Sequence, residues 1–260
     1  MDQRRSTLSE REEKQLRSLA RRKIREAEGR FLAEGVRVVE DLVASPVRTE
    51  WLCVSSTFQD MPRGAALLRQ AEERGIPIRV VLERQLRVLA PTEHSQGVLA
   101  VARTPGAAWE EVLPPEGRSV VLLLDAVQDP GNVGTLARTA EALGAAALVI
   151  LPGTADPWNP KAVRAAAGSM FRLPVLAGSW REVADRLRAA GYRLLAADAA
   201  GDPPPPPGGR VALVMGNEGA GLSREVREGV DGTVAVPIRG RAESLNVAAA
   251  AAILLHELTR

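Results

Sequence analysis

The sequence has few of the side chains that bind metals or support nucleophilic catalysis. Cys53 is its only cysteine, and His94 and His256 are its only histidines in 260 residues. A single cysteine cannot form an intramolecular disulfide, and two distant histidines give neither a zinc-ligand spacing nor a Ser-His-Asp set. The hydrolase motif G-x-S-x-G does not occur either. We therefore expect no metal, and we expect Cys53, which lies in an apolar run, to be a buried structural thiol.

Long apolar runs are also absent. No run reaches the ~18 residues that a membrane span needs, and residues 1–5 lead into a charged segment without the apolar core of a signal peptide. Hydrophobic residues make up 45% of the chain and charged residues 25%, which is typical of a soluble globular protein. These features predict a cytoplasmic protein that has no membrane partner.

Lysine is scarce, and the positive charge is concentrated at the amino terminus. The chain has 34 Lys and Arg residues, of which only Lys14, Lys23 and Lys161 are lysines, and its formal net charge is +2. Residues 1–30 carry ten basic residues against six acidic ones. The planar guanidinium of arginine suits phosphate binding. A GC-rich genome gives the same arginine bias, so both explanations stay open.

Helical and extended patterns alternate along the chain, which predicts an α/β fold. Residues 1–104 form a first predicted domain with its own core, and residues 105–118, rich in Pro, Gly and Glu, are typical of a linker. Residues 119–260 form a second domain, which begins with the continuous apolar run Ser119–Leu124. Such a run is expected for a strand buried on both faces, so the second domain should contain a mainly parallel sheet covered by helices.

The individual elements follow from hydrophobic periodicity. In the first domain a basic helix with a loose apolar stripe is followed by helices 36–43 and 65–73 and by strands 50–54, 77–81 and 96–102. In the second domain the predicted strands are 119–124, 147–151, one near Val175, 192–197, 211–215 and 233–238, and the predicted helices are 133–143, 160–167, 180–190 and 245–258. The proline-rich tract 201–209 should be an exposed loop.

Three segments of the second domain each follow a predicted strand, at the sheet edge where α/β proteins bind ligands. The first is residues 125–138, which contain a D-P-G-N turn. Asn132 is a candidate helix cap, and Arg138 lies further along the same helix. A turn, a cap and a surface arginine would explain this segment without any function.

The second segment, residues 215–223, contains Glu218 and three glycines within six residues. Glycines permit positive φ and let a backbone approach a ligand closely. Their order, G-x-x-G-x-G after a late strand, differs from the G-x-G-x-x-G of a dinucleotide fold, so a dehydrogenase is disfavoured. No G-K-[ST] follows, which excludes a phosphate-binding P-loop. A structural turn remains the alternative.

The third segment, residues 234–248, contains a strand that ends at Pro237, Ser244 as a candidate helix cap, and a helix of small residues. A capped core helix would account for most of it. Asn246, early in that helix, is the residue that this explanation covers least well.

The three segments together resemble the three motifs of the SpoU (TrmH-like) family of SPOUT methyltransferases. The motifs are N-x-G-x-x-x-R, G-N-E-G-x-G-L-S, and P-I followed by S-L-N-V-A, in the family's order and spacing. Residues 159–169 are similar to the family's middle segment, except that Ala166 stands where relatives often carry serine. Residues 22–23, 31–35 and 96–100 resemble the family's substrate-binding domain.

The resemblance implies a SPOUT-type parallel sheet with a carboxy-terminal deep trefoil knot, preceded by a small ribosomal-protein-like α/β domain. It implies S-adenosylmethionine as cofactor and a homodimer in which dimerisation completes the site. The cofactor-binding positions carried over are Gly216, Val236, Ile238 and Leu245. The catalytic or site-shaping positions carried over are Asn132, Arg138, Glu218, Ser244 and Asn246.

The implied reaction is methylation of a ribose 2′-hydroxyl in structured RNA, with 23S rRNA favoured over tRNA because of the added amino-terminal domain. A base-nitrogen methyltransferase and a catalytically silent RNA-binding protein are the alternatives. Arg138 is the family's proposed activator of the hydroxyl. A guanidinium rarely gives up its proton, so we favour electrostatic binding of a phosphate or developing alkoxide by Arg138 over a role as base. The basic amino-terminal helix would add phosphate contacts that position the RNA.

Overall fold

The computed structural model describes residues 5–113 and 117–260. Residues 1–4 of the first predicted domain and residues 114–116 of the predicted linker therefore lie outside the described part of the chain. Two compact units are present. One comprises Met1–Pro105 together with Trp158–Phe171, and the other comprises Gly106–Pro157 together with Arg172–Arg260.

The elements alternate along the chain as expected for an α/β protein. The strands are β1 (Arg5–Ser6), β2 (Arg30–Glu34), β3 (Thr49–Ser55), β4 (Ile78–Val81), β5 (Val98–Arg103), β6 (Ser119–Leu124), β7 (Ala147–Ile150), β8 (Val175–Ala177), β9 (Arg193–Asp202), β10 (Arg210–Met215) and β11 (Gly232–Val234). The helices are α1 (Glu10–Ser18), α2 (Arg22–Glu28), α3 (Val36–Ala44), α4 (Ser56–Gln59), α5 (Pro62–Glu73), α6 (Glu83–Leu89), α7 (Trp109–Val112), α8 (Pro130–Ala142), α9 (Pro160–Ala166), α10 (Trp180–Ala189), α11 (Arg224–Gly229) and α12 (Val247–Thr259).

The first unit is built on a mixed sheet with the strand order β1-β4-β3-β5-β2. β4 pairs in parallel with β1 and β3, whereas β5 pairs antiparallel with β3 and β2. Cys53 is fully buried on β3. Burial raises the pKa of its thiol to about 12, so the thiol stays protonated at neutral pH. The expectation of a buried structural cysteine is confirmed.

The basic amino-terminal segment forms two helices instead of one. Ser9 caps α1 in a reciprocal box with Glu12, whose carboxylate accepts from the Ser9 N–H at 2.9 Å. The helix ends because the buried guanidinium of Arg25, on α2, donates to the carbonyls of Leu19 at 2.7 Å and Ala20 at 2.9 Å. These carbonyls are left unpaired at a helix end, so Arg25 fixes the corner between the two helices.

The segment 158–171 completes the first unit from within the carboxy-terminal half of the sequence. The Phe31 ring on β2 lies between Trp158, with ring centroids 4.8 Å apart, and Phe171, at 5.9 Å. The buried Glu34 carboxylate accepts from Arg164 at 3.4 Å. Apolar packing and a partly buried ion pair thus hold the segment to the end of β2.

The second unit is built on a fully parallel sheet with the strand order β11-β9-β10-β6-β7-β8. Every residue of β6 is buried, as its continuous apolar run predicts. β10 lies between β6 and β9, so the order of strands reverses beside β6. Ligands of open α/β sheets bind at the carboxyl ends of strands at such a reversal.

Two strand boundaries differ from the sequence-based prediction by more than two residues. β9 extends through Gly201 and Asp202, which were expected to lie in a loop, because Asp202 pairs with Val234 of β11. β11 in turn ends at Val234, and residues 235–238 are irregular instead of a strand. The exposed loop is therefore limited to residues 203–209. No helix in the described ranges is long and apolar enough to cross a membrane.

Candidate active site

A cleft of 490 Å³ lies in the second unit at the carboxyl ends of β9 and β10. Its volume falls within the range of ~300–1,000 Å³ common for small-molecule sites. It is lined by all four residues that sequence analysis assigned to the cofactor, namely Gly216, Val236, Ile238 and Leu245. Three of the assigned catalytic residues also line it, namely Glu218, Ser244 and Asn246. Segments distant in sequence thus meet at one edge of the sheet.

The floor of the cleft is a tight glycine turn that follows β10. A Cβ at Gly216 would lie 2.7–2.9 Å from backbone atoms of Gly221 and Leu222, so the two backbone segments touch and no side chain fits between them. Gly221 has φ of +72°, a left-handed conformation that favours glycine. Backbone hydrogen bonds between Asn217 and Gly221, of 2.8 and 3.0 Å, close the turn.

The Asn217 side chain connects this turn to the segment after β6. Its Oδ1 accepts from the N–H groups of Gly219 and Ala220, and its Nδ2 donates to the carbonyl of Ala126 at 2.8 Å. Ala126 has φ of +56°, which is uncommon for a residue with a Cβ. Nearby, the buried Asp125 carboxylate accepts from the Ser223 N–H at 2.6 Å. The backbones of two motifs are therefore fixed against each other.

Glu218 is the centre of a polar network at the rim of the cleft. Its carboxylate accepts from Asn132 Nδ2 at 2.8 Å and from the N–H groups of Gln128 at 3.2 Å and Asp129 at 3.4 Å. Burial raises the pKa of this carboxyl, but these hydrogen bonds and one to its own N–H outweigh burial and hold the pKa below its usual range. Glu218 is accordingly an anion that orients hydrogen-bond donors.

Asn132 and Asn246 extend the network to the start of α12. Asn246 Nδ2 donates to Asn132 Oδ1 at 3.4 Å, and Asn246 Oδ1 accepts from the Ala248 N–H at 2.9 Å. Asn246 is therefore the helix cap, a role that sequence analysis gave to Ser244. Asp129, not Asn132, caps α8, because Pro130 begins that helix earlier than predicted. This frees the Asn132 amide to bind Glu218.

The structure does not bring Arg138 into this cleft. Its side chain is exposed on α8, it does not line the cleft, and it has no hydrogen bond or ion pair among the residues described. Thr135, Arg138 and Ala142 share the exposed face of that helix. The arginine is thus free to contact a molecule outside its own chain.

Sequence analysis missed Asp198, a carboxylate on the cleft wall. It lies within β9, four residues before the strand ends, where its Oδ1 accepts from the Ala200 N–H at 3.0 Å and its Oδ2 accepts from Arg227 at 3.4 Å. Its position directly after the predicted strand 192–197 was the available signal. Across the described ranges, no group of three or more His, Cys, Asp or Glu residues is arranged to hold a metal ion.

A parallel sheet with a small-molecule cleft at its carboxyl edge defines an α/β protein that binds a ligand there. Residues 119–256 match the SpoU rRNA Methylase family, and residues 12–100 match the MRM3-like substrate binding domain. The chain belongs to the SpoU rRNA methylase family. The resemblance identified from the three motifs and from the amino-terminal half is confirmed.

Curated relatives and solved structures agree over nearly the whole chain. The 23S rRNA (guanosine(2553)-2′-O)-methyltransferase RlmP of Bacillus subtilis is 38% identical over 94% of both chains. The 23S rRNA (uridine(2479)-2′-O)-methyltransferase of Streptomyces viridochromogenes is 32% identical over 93% of this chain and 86% of its own. The AdoMet-bound rRNA methyltransferase from Sinorhizobium meliloti superposes with a TM-score of 0.84 at 29% identity, covering 97% of this chain and 96% of the other.

Proposed function

We propose that this protein transfers the methyl group of S-adenosylmethionine to a ribose 2′-hydroxyl of 23S rRNA. The observation that carries the proposal is the hydrogen-bonded network of Glu218, Asn132 and Asn246 beside a cleft lined by all four expected cofactor positions. Family membership and the 23S rRNA 2′-O-methyltransferase names of the relatives support the reaction and the substrate. A tRNA substrate, a modified base nitrogen and a loss of catalysis are the competing outcomes.

The chemistry of the cleft fits a cationic cofactor. Asp198 and Glu218 are the charged side chains among the described residues that line it, and both are acidic. A sulfonium carries positive charge, so two carboxylates favour it over a neutral thioether. Apart from the polar residues Asn217, Ser244 and Asn246, the rest of the lining is apolar side chain and glycine backbone, which suits an adenosine group. AdoMet-bound structures are among those this chain resembles.

The protein must position the ribose hydroxyl and stabilise the charge that develops on its oxygen. When bound, S-adenosylmethionine supplies an electrophilic methyl group. Glu218 orients the Asn132 amide, and Asn132 and the Ala248 N–H orient the Asn246 amide, so both amides are positioned in advance to hold the ribose beside the cleft. The positive charge of Arg138 would stabilise the developing alkoxide electrostatically.

We also propose that the protein is a homodimer whose site is completed by the partner. The Arg138 side chain is exposed on α8 and does not line the cleft of its own chain. Ile253 is 43% exposed on α12, and Leu245 and Ile238, at the cleft rim, are 40% and 37% exposed. Exposed apolar side chains on and before α12, and an uncommitted arginine on α8, the helix that packs against α12, together have the composition of an interface core.

Three further features of the family belong to this proposal. Residues 1–104 are proposed as the RNA-binding domain and 119–260 as the methyltransferase domain, joined through 105–118. The carboxy-terminal trefoil knot is proposed from the family, and an experimental backbone trace of residues 193–260 would test it. A cytoplasmic location follows from the proposed substrate.

One labelling experiment tests the reaction and the substrate together. The protein is incubated with tritiated S-adenosylmethionine and total RNA from a strain lacking its gene, and the RNA is digested to nucleosides. Label in a 2′-O-methylnucleoside of 23S rRNA is the expected result. Label in tRNA would contradict the proposed 23S rRNA substrate. Label in a methylated base would contradict the ribose 2′-hydroxyl as the site of methylation. Cofactor binding without label in any RNA, whether free or in ribosomal particles, would favour a non-catalytic protein.

A further inference from the structure

The arginines of the second unit fall into two groups according to their partners. Most are held by a carboxylate or a backbone carbonyl; they are Arg118, Arg172, Arg186, Arg188, Arg210, Arg224, Arg227 and Arg260. Within the described ranges of this unit, the arginines with no hydrogen bond or ion pair are Arg138, Arg181, Arg193, Arg239 and Arg241. Uncommitted arginines keep their five donors for another molecule.

Two of these uncommitted arginines lie on the loop that forms one side of the cleft. Arg239 directly follows Ile238, which lines the cleft, and Arg241 precedes Ser244, which also lines it. Both are exposed, and the whole irregular segment 235–246 connects β11 to α12. The two arginines therefore lie on the loop that borders the cleft, next to residues of its wall, without lining it themselves.

The charged side chains that line the cleft are negative. Its charged lining consists of the carboxylates Asp198 and Glu218, and no Lys or Arg of the described residues lines it. A polyanion that must bring a ribose to this cleft is repelled chiefly by Glu218, whose hydrogen-bond donors are neutral, because Asp198 is already paired with Arg227. Positive charge at the rim compensates for that repulsion and attracts the phosphates on either side of the target.

We infer that Arg239 and Arg241 form a phosphate clamp, which holds the RNA backbone beside the target ribose. This inference rests on the proposed function, because it takes RNA as the substrate. It adds to that function a surface that positions the RNA. The clamp contacts phosphates, so it contributes affinity and orientation without reading the base. It is distinct from the basic amino-terminal helices, which belong to the other unit.

The test measures binding of rRNA, purified from a strain lacking the gene, at several salt concentrations. The double variant Arg239→Ala/Arg241→Ala should lower the slope of log K against log salt by about 1.5, because each lost phosphate contact removes ~0.7–0.9. The matched control Arg181→Ala/Arg193→Ala removes the same charge from uncommitted arginines and should leave the slope unchanged. Arg193 begins β9, at the sheet edge opposite the cleft.

Kinetics separate the clamp from damage to the cofactor site. The KM for RNA should rise roughly 3- to 30-fold in the Arg239→Ala/Arg241→Ala variant, with kcat and S-adenosylmethionine affinity retained. Arg239→Lys/Arg241→Lys keeps the charges and should restore most of the salt slope. Equal slopes for the clamp variant and its control would overturn the clamp, as would wild-type protein that fails to bind rRNA. Wild-type protein that binds rRNA without methylating it would refute the proposed function alone, because the slopes report binding only.

Discussion

Asn132 and Glu218 stand 86 positions apart in the sequence, yet the Asn132 amide donates to the Glu218 carboxylate at 2.8 Å. The same Asn132 accepts from Asn246, so one side chain joins all three motifs of the carboxy-terminal domain. The backbone N–H groups of Gln128 and Asp129, just before α8, also donate to the Glu218 carboxylate.

Glu218→Gln should abolish most of the methyl transfer while leaving the fold intact. Glutamine keeps the shape of the side chain but replaces one acceptor oxygen with a donor, so it cannot accept from Asn132 and two backbone N–H groups at once. A displaced reacting group costs about 10²-fold in rate. Single-turnover kinetics with rRNA would measure the loss. Near-normal turnover would show that the network does not orient the substrate.

The acid stability of the protein should depend on the same carboxylate. Burial raises the pKa of Glu218, but hydrogen bonds from Asn132 and three backbone N–H groups outweigh burial and hold the folded-state pKa below its ordinary value. A carboxyl with a depressed pKa stabilises the fold above its unfolded-state pKa, and that contribution is lost as pH falls through the folded-state value.

Urea unfolding of the wild type and of Glu218→Gln should therefore show a difference in the free energy of unfolding at pH 7 that shrinks in acid, as Glu218 becomes protonated. Glu110→Gln provides the control, because that carboxylate is 80% exposed. A Glu218 difference that does not change with pH would contradict the depressed pKa.

Gly216→Val should weaken S-adenosylmethionine binding, by roughly 10-fold or more. Even the Cβ would lie 2.7–2.9 Å from the backbone of the facing glycine turn, so the floor of the cleft must shift. Titration calorimetry gives the affinity directly. Gly106→Ala, where a Cβ meets nothing within 4 Å, is the control and should bind normally. An unchanged affinity in Gly216→Val would place the cofactor elsewhere.

Arg138→Ala should lower kcat by about 10²–10³-fold with little change in cofactor affinity, because it removes charge stabilisation without touching the cleft wall. Arg138→Lys should recover little of this loss if the guanidinium binds in a bidentate manner. Co-refolding Arg138→Ala with Gly216→Val should restore part of the activity, because a mixed dimer contains one cleft and one arginine that are both intact. No recovery from demonstrably mixed dimers would place both groups in the same protomer's site.

Ile253→Glu should convert the proposed homodimer to a monomer and reduce activity. The isoleucine is 43% exposed on α12, and a buried, unpaired carboxylate at an interface costs several kcal/mol, of the order of ~3–5. Light scattering after gel filtration measures the mass. Val88→Glu is the matched control, since Val88 is 66% exposed in the first unit. A dimer that persists in Ile253→Glu but dissociates in Val88→Glu would show that the interface includes Val88 and not Ile253.

Sequence analysis predicted correctly those elements whose bounds depend only on neighbouring residues in the sequence. β6 and α10 lie within one residue of their predicted bounds, because an unbroken apolar run and a capping box each specify their element locally. The break between α1 and α2 was not predicted, because it depends on Arg25 folding back onto carbonyls six residues away. The helix α6 was also missed.

Long-range pairing accounts for the other differences. Asp202 is a strand residue only because it pairs with Val234. The glycine and proline residues next to Asp202 predict a loop instead, so the strand could not be predicted from the local sequence. The motifs indicated which residues assemble at the cleft, but not which atoms they bind. Asn132 and Ser244 were expected to be helix caps, and the structure gives the caps to Asp129 and Asn246 because the helices begin at other residues.

The discontinuity of the first unit restricts how this protein can be divided. A fragment that ends at residue 105 lacks the Trp158 and Phe171 rings against which Phe31 packs, and it leaves the buried Glu34 without its arginine. Such a fragment would expose an aromatic surface and an uncompensated carboxylate, so it would aggregate rather than bind RNA. The amino-terminal domain therefore cannot be exchanged between relatives as a continuous segment. A functional exchange would also have to replace residues 158–171.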